Sequence, residues 1–162
     1  MKLFRTEPIP TSIVTQLGKG EQVLAWAEHS GGLVAVTNLS FISLDAHESK
    51  CIRWFDTLSA KWDAPVLTLV VAHGDQSPES FAWRFENPGL VPTAVRDRVT
   101  AVVIADRMMN VPEVGRVRFI ARRTPDGVQW TTVAEPEVQV NSPDIQTRIR
   151  TALQSLRSTL GI

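Results

Sequence analysis

The stretch from Gly31 to Leu44, Gly-Gly-Leu-Val-Ala-Val-Thr-Asn-Leu-Ser-Phe-Ile-Ser-Leu, constrains the fold more than any other part of this 162-residue chain. Two short runs rich in Val, Leu, Phe and Ile, divided by Thr-Asn, are too brief for helices and read as consecutive antiparallel strands. The period of two continues on both sides. Residues 23–29, 33–37 and 40–45 form a meander with turns at His29-Ser30-Gly31-Gly32 and Thr37-Asn38. Residues 52–55 extend it, 59–65 change its direction and 66–71 resume it. In 81–86, Phe81, Trp83 and Phe85 fall on one face and Arg84 and Glu86 on the other, which assigns the aromatic face to the core. Residues 92–98 read as one irregular or helical turn, and 99–104 as a strand because of their β-branched density; a helix over 93–109 is the alternative. Residues 117–122 and 128–133 make a hairpin around Thr124-Pro125-Asp126-Gly127.

Two helices frame these strands. Pro10-Thr11-Ser12 supplies a start ahead of Ile13, Val14 and Leu17, and Gly18 a stop, giving a short helix over 10–18. The C-terminal helix, 142–160, begins with Ser142 as N-cap and Pro143 at the first helical position. It carries Ile145, Ile149, Leu153, Leu156 and Leu160 on one stripe that needs an apolar surface to cover. The expected architecture is one α+β domain over 1–162, with antiparallel strands within 21–133. That length removes enough surface from water on folding to support a single core.

Charge and cysteine usage narrow the classes of function. Seventeen basic side chains balance seventeen acidic ones, so no net field draws the molecule to nucleic acid or to an anionic membrane. Cys51 is the only cysteine, which excludes an internal disulfide framework and suits the cytoplasm. Residues 1–7 contain charges and lack the apolar core of a secretory leader, and every apolar run is broken before the ~20 residues needed to span a bilayer.

The order of elements, about seven or eight antiparallel strands and then one amphipathic helix, resembles a pleckstrin-homology-like (PH-like) barrel or strongly bent sheet whose open end is plugged by the helix. More locally, Gly20-Glu21-Gln22-Val23-Leu24-Ala25-Trp26, then residues 33–38 and Ile52-Arg53-Trp54, are similar to the opening of bacterial PH-like and GRAM-like proteins. Residues 96–101 and 117–123 extend the similarity to a group of uncharacterised actinobacterial proteins. The resemblance implies a fold, not an activity. Inositide-binding members place cations around the first hairpin, whereas Glu28 precedes His29-Ser30-Gly31-Gly32 here, which argues against phosphoinositides.

No residues assemble an acid, base, nucleophile or metal set at a diagnostic spacing. His29, His47 and His73 lack the close ligand spacing of a zinc site, so neither metal nor cofactor is expected. The glycines at 18, 20, 31 and 32 form no phosphate-binding motif. Charge is, however, segregated. Residues 96–123 carry seven arginines against three acids, a local balance of plus four, while 1–95 carry minus three. On a strand, Arg116, Arg118 and Arg122 would share an exposed face, with Val117, Phe119 and Ala121 on the core face. These three with Arg123, and Trp62 between Lys61 and Asp63, are the candidate binding residues. Arginine's forked donors suit an acidic protein partner. The expectation is a non-enzymatic binding or scaffolding module; the alternatives are a nucleic-acid-associated protein using residues 96–123, and an enzyme with a site assembled from scattered polar residues.

Overall fold

A computed structural model describes residues 7–74 and 76–162; residues 1–6, read above for a leader, lie outside it. Strands β1 (Val23–His29), β2 (Gly32–Thr37), β3 (Ser40–Asp45) and β4 (Ser49–Arg53) pair in chain order as a four-stranded antiparallel sheet. A single 3-10 turn, Trp54–Asp56, leads into β5 (Thr57–Asp63), β6 (Val66–His73) and β7 (Gln76–Arg84), a second antiparallel sheet. Helix α2 (Val91–Val102) follows, and the chain then runs straight into β8 (Val103–Val111), β9 (Gly115–Thr124) and β10 (Gly127–Ala134), a third sheet with β9 in the middle. Helix α3 (Pro143–Leu160) ends the fold, and α1 (Thr11–Val14) opens it. The class is thus α+β, with ten described strands in three separate sheets and no closed barrel.

The main core lies between the first two sheets and α2. Phe41, Trp54, Trp83, Phe85, Leu67 and Leu69 meet Val91, Val95 and Val99 there, all buried. Those three valines recur every four residues, so one helical stripe is buried whole, and their packing outweighs the weak helix preference of β-branched side chains. Residues 99–102 are therefore helix and the strand starts at Val103, which corrects the expectation of a strand from 99. The seven-strand assembly is also capped by a different helix from the one expected. α3 lies on the third sheet, where Ile145, Ile149, Leu153 and Leu156 cover Val111, Val117, Phe119 and Trp130.

Smaller features follow the residues. Ile13 is fully buried with Ala35 and Ile42 on the outer face of the first sheet, whereas Val14, expected to dock with it, is exposed. A side chain at Gly32 would put Cβ 1.9 Å from the Leu44 carbonyl oxygen, so only glycine lets β2 lie against β3 there. Gly161 closes α3 at φ 71°, the left-handed conformation that glycine adopts without penalty.

The start of β1 is latched by Glu21. Its Oε1 accepts hydrogen bonds from Thr37 Oγ1 at 2.6 Å and from Ser40 Oγ, and its Oε2 accepts one from the Gly18 N–H at 2.9 Å. Thr37 and Ser40 are fully buried. Burial alone would raise the carboxyl's pKa, but the hydrogen bonds from Ser40, Thr37 and Gly18 and the charge of Arg53 outweigh it and hold the group below its ordinary value.

Candidate functional site

The arginine strand is not a free cationic face. Arg118 donates from Nε to Asp106 Oδ1 at 2.8 Å and from Nη2 to Oδ2, a two-pronged pair that raises its pKa. Arg116 Nε lies 3.7 Å from Glu135 Oε1. Arg122, expected to be exposed beside them, is buried at 4% exposure. The physical reason is that both faces of β9 are covered: α3 takes Val117 and Phe119, while Ile120 and Arg122 face inward on the other side, towards the 3-10 turn. Arg122 donates Nη1 to the Phe55 carbonyl and Nη2 to Thr131 Oγ1 at 2.9 Å. Burial pushes its pKa down, opposed by the nearby charge of Asp56. It ties the third sheet to the first seven strands. Arg123 is exposed and has no ion pair among the described residues.

Trp62 is where exposure was expected. It stands on β5, 37% exposed, with its ring 6.2 Å from the buried Phe85 ring in an edge-on arrangement. Its neighbours Lys61 and Asp63 are exposed and 3.7 Å apart. Trp62, Ala60 and Leu67 on one side and Pro92, Thr93, Val95 and Arg96 of α2 on the other line a groove of about 170 Å³. Among the described residues, strand β5 is hydrogen-bonded to β6 alone, so its other edge carries backbone groups unpaired by them. This groove was not legible as a site, because residues 59–65 read as a change of direction; they are strand to Asp63, with the turn at Ala64-Pro65.

No known protein family, characterised protein or solved structure matches this chain. Its chemistry rests on its own geometry.

A second, wider cleft of about 730 Å³ lies where β1 and β7 end, bounded by Glu7, Trp26, Glu28, His29, Arg84 and Glu86 among others. Its charge is mainly negative. His29 turns away from solvent: Nδ1 accepts the Gly31 N–H at 3.2 Å, and Nε2 lies 2.9 Å from Asp45 Oδ1, close in distance but off the N–H direction. His47 lies in the turn between β3 and β4 and His73 at the end of β6, and among the described residues no three His, Cys, Asp or Glu converge as a metal set. Cys51 is exposed on β4. Each group with a displaced pKa, Glu21, Arg118 and Arg122, already has its partners within the fold. The arrangement offers a binding groove and an open strand edge. No helix among the described residues is long and apolar enough to cross a membrane.

Proposed function

We propose that residues 11–102 form a PH-like module and that the chain is a non-enzymatic scaffold of the cytoplasm, taking a protein partner along the open edge of β5 beside α2. The four- and three-stranded sheets enclosing one core with α2 support the PH-like reading, with α2 in the role first given to α3. The observation that carries the binding role is the unpaired β5 edge, ending in exposed Lys61-Trp62-Asp63 next to a groove. An added strand gains affinity from main-chain hydrogen bonds and selectivity from side-chain pockets, and Trp62 supplies the anchor. Arg96 on the groove wall suits an acidic group of the partner. Nucleic acid is the weaker reading, since Arg116 and Arg118 already face carboxylates and Arg122 is buried. Glu28 and Glu86 around the first-hairpin cleft likewise disfavour phosphoinositides.

A photo-cross-linking amino acid placed at Trp62, and in a second variant at Arg123, tests this. Protein cross-linked through position 62 and little through 123 is the expected result. Cross-linking through 123 alone, or recovery of nucleic acid that is lost as salt rises, would move the site to the third sheet.

A further inference from the structure

We infer that the partner which fits the β5 edge is a second copy of this chain, paired antiparallel about Trp62. The inference rests on the binding role proposed for that edge and names its occupant. Around Trp62 the sequence reads Ala60-Lys61-Trp62-Asp63-Ala64, symmetric in size and opposite in charge about its centre. A two-fold interface sets the same surface against itself, so if Trp62 lies on the axis, Lys61 faces the second copy's Asp63 and Asp63 faces its Lys61. Ala60 then falls opposite Ala64, the first residue of the turn that ends the pairing. In a parallel pairing in register, Lys61 would meet Lys61 and Asp63 would meet Asp63, so the charges choose one direction.

The surroundings agree. Lys61 and Asp63 have side chains 76% and 79% exposed, so they can turn from their mutual contact of 3.7 Å to the opposing strand without leaving a buried charge unpaired. Trp62, on the alternate face with Ala60, presents its exposed part beside Pro92 and Arg96, where a second tryptophan ring adds aromatic contact. The antiparallel pairing satisfies edge groups that β6 does not reach, whichever of the alternating residues point outward. A strand guarded against self-association carries charge that repels its own kind. Here each charge meets its opposite. The patch is short, so a weak dimer is expected, with a Kd of about 1–100 µM.

The experiment is sedimentation equilibrium on the whole chain, with circular dichroism confirming that every variant is folded. Lys61→Glu puts acid against acid twice across the axis, and Asp63→Lys puts base against base twice. Each single variant should dimerise about tenfold more weakly than the wild type. Mixing the two should restore association as a heterodimer, because the acid introduced at position 61 of one chain then faces the base introduced at position 63 of the other, while the unchanged Asp63 of the first faces the unchanged Lys61 of the second. The double variant, with both changes in one chain, should dimerise like the wild type. A wild type that stays monomeric up to about 100 µM overturns the inference, and so does a dimer indifferent to both reversals. A monomeric wild type that still cross-links another protein through position 62 refutes self-pairing and leaves the binding role standing; absence of any product at 62 refutes both.

Discussion

Deleting α3, residues 142–162, should unfold the third sheet and leave the first seven strands with α2 folded. The contacts of α3 set the size of the loss. Ile149 is 9% exposed and contributes about 2–3 kcal/mol, while Ile145, Leu153 and Leu156 are half-buried and contribute about 1 kcal/mol each, for a loss of about 5 kcal/mol. That is comparable with the whole stability of a marginal domain, about 5–15 kcal/mol. It falls on Val111, Val117, Phe119 and Trp130, none of which belongs to the core of Phe41, Trp54, Trp83 and the valines of α2. Hydrogen exchange read by mass spectrometry resolves the two regions. Amides of β2, β3 and β6 should keep their protection in the truncated chain, and those of β9 and β10 should exchange at the rate of an open peptide. Uniform loss of protection across β2, β3 and β6 would refute the reasoning and make α3 a requirement of the whole fold, as its long apolar stripe first suggests.

The Arg122 tie and the Glu21 latch make separate predictions. Arg122→Ala removes two charge-assisted hydrogen bonds and leaves a cavity, and urea denaturation should show a loss of about 3–5 kcal/mol; Arg122→Met, which keeps the volume and removes the buried charge, should cost less than half as much. Equal losses for the two would mean that the hydrogen bonds hold the third sheet in place and that burying the charge costs little. For Glu21, the folded pKa lies below the unfolded value, so its contribution is complete above the ordinary glutamate value near ~4.3 and is lost as pH falls through the lower, folded value. Glu21→Gln should lower the melting temperature at neutral pH by an amount that shrinks on acidification, and a constant difference between the two proteins down the acid limb would contradict this.

Where the sequence alternates over a half-covered sheet, its reading and the structure coincide. β1 and β3 have the expected bounds, the β9–β10 hairpin turns at Pro125-Asp126, and α3 spans Pro143–Leu160 between Ser142 and Gly161, although the Ser142 side chain makes no capping hydrogen bond. The departures occur where tertiary packing decides. The stripe Val91, Val95, Val99 was present at helical spacing, yet the β-branched run through Ile104 straddles the end of a helix and the start of a strand with no turn residue between them. β5 escaped notice for the opposite reason: an edge strand with Lys61 and Asp63 on its open side has no apolar alternation to report.

The candidate site divides along the same line. Alternation places Arg116, Arg118 and Arg122 on one side of β9, but whether that side meets water depends on what packs against it. Ile120, between Arg118 and Arg122, was the available signal, because an aliphatic side chain among cations marks a face that is covered for part of its length. In the structure the face is graded, from exposed Arg116 through half-buried Arg118 to Ile120 and Arg122, the last two against the 3-10 turn region. A run of arginines therefore measures supply and not availability: here Asp106, Glu135 and the Phe55 carbonyl take up three of them. Trp62 stands between two opposite charges in residues 59–65, which lack apolar alternation, and it is 37% exposed. Flanking charges alone do not decide exposure, because neighbours on a strand point to opposite faces: Phe85, between Arg84 and Glu86, is 2% exposed, and what marks it as core is its alternation with Phe81 and Trp83.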